Sequence, residues 1–204
     1  MKTLKFVTLL TVGMFLLMAA KPSDAGYKIG DKAKDFQLKN VDGKMVSLAD
    51  FKSAKGFIVV FTCNHCPFAK AYEQRILDLD KKYAKLGYPV IAINPNNKEM
   101  VEEDAPEKMA ERAKAKNYTF PYLYDESQEI AKNFGATRTP HVFVLTKSSS
   151  DFLVQYIGAI DDNSDDATAV KTKYVENALK EIMANKPVSQ ATTKAIGCGI
   201  KWKS

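Results

Sequence analysis

The sequence predicts an α/β domain: a central mixed sheet flanked by helices, with a β-hairpin at its N-terminal end. Three observations carry this. Residues 57–61 (FIVVF) and 88–93 (YPVIAI) are short apolar runs, the pattern of strands covered on both faces. A run with apolar residues at steps of three and four separates them, the pattern of a helix with one buried side. Two further apolar runs, 141–145 and 152–157, are parted only by the polar turn 147–151 and so form a hairpin.

Taken in order, residues 27–36 are extended. The segments 36–38 and 45–48 flank Asn40-Val41-Asp42-Gly43, an Asp-Gly turn between alternating apolar residues, which marks a hairpin. Residues 47–51 form a short helix or turn. Strand 57–61 runs into Thr62-Cys63-Asn64-His65-Cys66-Pro67. The helix that follows buries Phe68, Tyr72, Ile76, Leu79 and Tyr83, carries Pro67 in its first turn, where a missing N–H costs little, and closes at Gly87. Strand 88–93 ends in the loop Asn94-Pro95-Asn96-Asn97. Asp104-Ala105-Pro106-Glu107 opens an outer helix that continues to residue 116. Residues 120–124 are extended, and 128–134 form a helix stopped by Gly135. Thr139-Pro140 leads into the hairpin strands. A last helix covers 168–184, with Val170, Tyr174, Ala178 and Ile182 along one side. Residues 187–204 form a flexible tail that contains Gly197-Cys198-Gly199.

Composition narrows the class. The chain of 204 residues is 46% hydrophobic and 26% charged, ordinary for a soluble domain with its own core. Its formal net charge is +6; residues 1–25 hold three lysines and one aspartate, which leaves +4 on the rest. Acids and lysines are interspersed there, so no nucleic-acid surface is expected. Residues 1–25 read as an export signal: a basic start, an apolar stretch over 6–20, and small residues around Ser23-Asp24-Ala25. The apolar stretch is shorter than the roughly 20 residues of a spanning helix, so no stable membrane span is expected once it is removed. The domain then covers 26–186 and the tail 187–204, in a protein outside the cytoplasm, where disulfides persist.

Three cysteines, Cys63, Cys66 and Cys198, are too few for a disulfide scaffold. Strand, C-x-x-C and helix in succession place two sulfurs at a helix start. The first N–H groups of a helix lack intrahelical partners and favour a thiolate, the reactive form of cysteine. This predicts a thiol–disulfide redox centre. His65, between the two cysteines, would depress the Cys63 pKa further when protonated. Cys198 is either a third redox thiol or idle.

The Asp42-Gly43 turn, the Cys63-Asn64-His65-Cys66-Pro67 motif after a strand, Thr139-Pro140 before a strand, and residues 120–125 (FPYLYD) together resemble the thioredoxin superfamily, in particular its redoxin branch of AhpC/TSA-like and TlpA/ResA-like proteins. The likeness spans about residues 29–183. It implies a thioredoxin-like fold. It makes Cys63 the nucleophile, Cys66 the resolving thiol and Pro140 a cis-proline. The Thr139 backbone would pair with an incoming substrate strand. The implied activity is that of an exported, periplasmic thiol–disulfide oxidoreductase with no cofactor beyond a redox-active Cys63–Cys66 disulfide. Its partners would be protein thiols and disulfides and a redox partner protein. Two departures stand out. Thr62 occupies the place of the usual tryptophan, and no carboxylate lies in the two central strands to move protons for Cys66. A peroxidase threonine three residues before the reactive cysteine is also missing. Two alternatives stay open: a copper or zinc carrier using Cys63, Cys66, His65, His141 and Cys198, and a thiol peroxidase.

Overall fold

The computed structural model describes residues 26–149 and 151–203. The export-signal reading of residues 1–25 lies outside them. Among the described residues no helix is long and apolar enough to cross a membrane.

The chain forms β1 (Lys32–Ala33), the hairpin β2 (Gln37–Asn40) and β3 (Met45–Ser47), then β4 (Gly56–Phe61), α1 (Pro67–Tyr83), β5 (Val90–Asn94), α2 (Pro106–Ala115), β6 (Tyr122–Tyr124) and α3 (Glu129–Phe134). It continues with β7 (Arg138–Thr139), β8 (His141–Ser148), β9 (Asp151–Gly158), α4 (Tyr174–Met183) and β10 (Cys198–Gly199). Eight strands make one sheet in the order β1-β9-β8-β4-β5-β6-β2-β3, and β10 pairs with β7 in a second, two-stranded sheet. Parallel pairs β4–β5 and β5–β6 sit beside antiparallel ones, so the sheet is mixed as expected. The hairpin β2–β3 turns at Gly43, whose φ of 86° suits glycine, and extends the sheet beyond β6.

The apolar character of β4 follows from its central place. Ile58 and Val60 pack with Tyr72, Ile76 and Tyr83 of α1 and with Val175 and Leu179 of α4. Phe57, Val59 and Phe61 face the other way, onto Phe134 of α3, Phe143 and Phe152. Successive side chains of a strand point to opposite faces, so a strand covered twice can spare no polar position. Phe134 centres an aromatic group, with Tyr27, Phe36, Phe61 and Phe143 ringing it edge-on at 5.1–6.1 Å.

Two helix starts differ from expectation. The last helix begins only at Tyr174, because the Asp162 carboxylate takes the backbone N–H groups of Lys171 and Thr172 at 3.0 Å each and holds that segment out of helix. Asp104 does not open α2, which begins at Pro106; Asp104 ends a single 3-10 turn and turns its carboxylate inward.

The tail is not the flexible end that its composition suggests. Thr192 bridges to Ile157, and Thr193 bonds the backbone of Ile157 and Ala159. Ile200 is buried in the core beneath the sheet, and Trp202 packs beside it. The Lys201 backbone is clamped by Asn96, Asn97 and Gln128. With its ends held in this way, the tail delivers β10 to the edge of β7.

Candidate active site

The end of β4 and the start of α1 set Cys63 and Cys66. Cys66 caps α1 and Pro67 takes its first position, where no N–H partner is lost. Cys66 is fully buried and Cys63 nearly so, at 4% exposure. Both sulfurs face Thr139. Cys63 Sγ lies 3.2 Å from the Thr139 hydroxyl, and Cys66 Sγ lies 3.2 Å from the Thr139 carbonyl oxygen. The Thr139–Pro140 peptide is cis.

One expectation is corrected here. Cys66 is bonded not to Cys63 but to Cys198, 132 residues further on, and Cys63 is the free thiol. The reason lies in the tail. β10 runs antiparallel to β7 with Cys198 opposite Thr139 and Gly199 opposite Arg138, and this register brings the third sulfur to the second. Gly197 lies flat on the same peptide, where a Cβ would stand 2.2 Å from the Thr139 oxygen, so only glycine permits the approach. All three cysteines therefore share one small cluster with Phe68 and Ala69.

The electrostatics also depart from the helix-start argument. Burial pushes the Cys63 thiol up to about 11, and the nearby Asp104 carboxylate adds to the rise. The Thr139 hydroxyl and the backbone N–H groups of Cys66 and His65 act in the opposite direction and do not offset it. The His65 ring is engaged by Asp104. Its Nδ1 lies 2.5 Å from Asp104 Oδ2.

Asp104 is the residue that sequence reasoning missed. It is fully buried and receives Asn64 N–H at 2.6 Å, His65 N–H at 3.3 Å and Asn96 Nδ2 at 2.8 Å, besides the His65 ring. Its carboxylate thus holds the loop between the two cysteines. Asn64 extends the network, donating to the Glu103 carbonyl and accepting from the Tyr122 hydroxyl. Asn96 links it to the tail, because its Oδ1 accepts the Lys201 N–H. The buried carboxylate beside Cys63 comes from the turn before α2.

As metal ligands, the expected residues divide. Cys66 and Cys198 are consumed in their disulfide. His141 is buried at the start of β8, its Nδ1 accepts the Thr137 N–H, and burial lowers it to about 4. Among the described residues, Cys63, His65 and Asp104 do bring one donor atom each within 4.8 Å of one another. Four donors already occupy the oxygens of that carboxylate, so the group fits a hydrogen-bonded anchor better than an open cation site.

The chain is similar to known proteins. The model of the AhpC/TSA family matches residues 29–161. The chain is 27% identical over 158 residues to Peroxiredoxin Bcp of Escherichia coli strain K12, spanning 76% of this chain and 96% of that one. It is 25% identical over 136 residues to the thiol-disulfide oxidoreductase ResA of Bacillus thuringiensis subsp. konkukian, spanning 67% and 74%. An uncharacterized conserved protein from Geobacillus kaustophilus superposes with a TM-score of 0.79 at 38% identity, over 86% of this chain and 93% of that one. The fold is the thioredoxin-like fold of the redoxins.

Proposed function

This chain belongs to the AhpC/TSA family, and from that premise we propose that it is a thiol–disulfide oxidoreductase working through three cysteines rather than two. The observation that carries the reading is the convergence of Cys63, Cys66 and Cys198 on Thr139. In the reduced protein, Cys63 as thiolate attacks a substrate disulfide, forming a mixed disulfide and releasing one substrate thiolate. Cys66 then attacks Cys63 Sγ, freeing the second substrate thiol and closing Cys63–Cys66. Cys198 attacks Cys66 in turn, which restores the Cys63 thiol and leaves Cys66–Cys198. Two electrons pass to the substrate, and the two protons lost by the protein end on its two thiols. A dithiol donor returns the protein to its reduced form.

Substrates are protein disulfides, for which the Thr139 backbone supplies a pairing edge. Residues 1–25, with their basic start and apolar stretch, support export to the periplasm, and a disulfide in the folded chain suits an oxidising compartment. Loss of a peroxidase threonine favours disulfide exchange over peroxide reduction.

The test is insulin reduction with dithiothreitol as electron source, run beside hydrogen peroxide consumption. Wild type accelerates insulin reduction, Cys63→Ser abolishes the acceleration, and Cys66→Ser accumulates a mixed disulfide on Cys63. Rapid peroxide turnover with no effect on insulin overturns the assignment in favour of a peroxidase.

A further inference from the structure

We propose that β10 is a redox-gated strap over the substrate edge: while Cys66–Cys198 is closed, the chain's own tail fills the place of an incoming strand, and opening of that bond vacates it. The inference rests on the oxidoreductase reading above and concerns when the site can be entered.

Four observations carry it. First, Cys198 stands opposite Thr139 in antiparallel register, so the backbone edge that would bind a substrate cysteine is already paired with a cysteine of this chain. Second, Gly197 lies against the Thr139–Pro140 peptide closely enough to exclude any other strand. Third, Cys63 is almost fully buried and the edge beside it is taken, so the oxidised protein offers neither nucleophile nor docking edge. Fourth, the anchors on either side of β10 do not depend on the disulfide. Thr193 is bonded at the end of β9, and Ile200 and Lys201 are held by the core, Asn96, Asn97 and Gln128. Between them lies a short arm, residues 194–199, free to swing only when the bond to Cys66 is cut.

Of the two bonded sulfurs, Cys66 is fully buried while Cys198 is half-buried. A dithiol donor therefore attacks Cys198 Sγ. The Cys66–Cys198 bond breaks, a donor–Cys198 bond forms and Cys66 leaves as thiolate. The donor's second thiol then attacks its own sulfur in that bond and departs as a disulfide. Cys66 and Cys198 are left as thiols carrying its two electrons and two protons. The arm moves off, a substrate strand takes the edge of β7, and the anchors keep Cys198 within reach to close the cycle. The partner that fits the vacated edge is an extended segment bearing a disulfide, with a small residue where Gly197 had lain.

Hydrogen–deuterium exchange of the full chain, oxidised and after dithiothreitol, tests this without any variant. Amides of residues 138–139 and 195–199 are expected to exchange at least tenfold faster after reduction, while those of 201–203 keep their rates. Equal exchange of 195–199 in both states overturns the strap. So does equal acceleration through 203, which means the whole tail detaches. The insulin assay on the same preparation separates the two ideas: activity with unchanged exchange overturns the strap alone, and inactivity overturns the oxidoreductase reading on which it rests.

Discussion

Asp104 grips His65 at 2.5 Å with one oxygen and the Asn64 amide at 2.6 Å with the other, so one buried carboxylate fixes the turn between Cys63 and Cys66 from both sides. The same charge opposes a thiolate at Cys63. Asp104→Asn removes the charge while keeping the shape. Its amide nitrogen would face the His65 ring and the Asn96 amide group, which both approach the carboxylate as donors in the network drawn above. Stability is expected to fall by about 1–3 kcal/mol, the usual cost of leaving buried polar groups unmatched. The Cys63 titration, followed by thiolate absorbance in the oxidised protein where it is the free thiol, is expected to move to lower pH. A midpoint that stays or rises would show that Asp104 does not act on the sulfur.

Cys63 itself links stability to alkaline pH. Its thiol titrates near 11 in the fold against an ordinary 9.0. Between those values the unfolded chain has lost a proton that the folded chain keeps, so stability present below pH 9 declines as pH rises through 11. The full effect is about 2–3 kcal/mol. Several buried tyrosines decline in the same direction at higher pH, so the comparison is between wild type and Cys63→Ser. Urea midpoints of the oxidised proteins measured from pH 8 to 11 should fall more steeply for wild type. Parallel curves would contradict the buried-thiol account.

His141 supplies the acid side. Burial against Phe143 lowers it to about 4 from 6.5. Below pH 6.5 the unfolded chain takes up a proton that the folded one refuses, so stability present above 6.5 is lost as pH falls through 4. The total is about 3 kcal/mol. In His141→Gln this part of the acid slope should vanish, even if the variant is less stable at neutral pH. An unchanged slope in thermal melts between pH 7 and 4 would place the acid sensitivity elsewhere.

How much of this was legible in sequence differs between near and distant contacts. The strands 57–61 and 141–145, the C-x-x-C at a helix start and the Asp42-Gly43 hairpin follow from local periodicity and turn chemistry, and the structure has them within a few residues. The partner of Cys66 does not, because it depends on a register between segments 132 residues apart. Gly197 hinted at a close approach but not at what it approaches. Asp104 carried a misleading local signal, since an acid just before Ala-Pro-Glu reads as part of a helix start. Its partners at the cysteine loop, Asn64 and His65, lie 39–40 residues away, and nothing in the periodicity of either segment points across that gap. The helix-start argument for a reactive Cys63 named a real force but omitted burial, which is larger here.

The long disulfide gives the last prediction. Joining residues 132 apart restricts the unfolded chain far more than closing the short ring between Cys63 and Cys66. Chain-entropy estimates put such a long bridge at up to about 5 kcal/mol, with measured bridges commonly giving 2–4. Because Ile200, Lys201 and Thr193 hold the tail independently, the folded state should survive loss of the bond. Oxidised wild type is therefore expected to exceed Cys198→Ser in stability by about 2–4 kcal/mol. Dithiothreitol should bring wild type down close to the variant while hardly affecting the variant, which can form only the short Cys63–Cys66 ring. Urea unfolding of both proteins in both redox states measures this. Equal stability of oxidised wild type and Cys198→Ser would mean that Cys66–Cys198 does not persist in the folded protein.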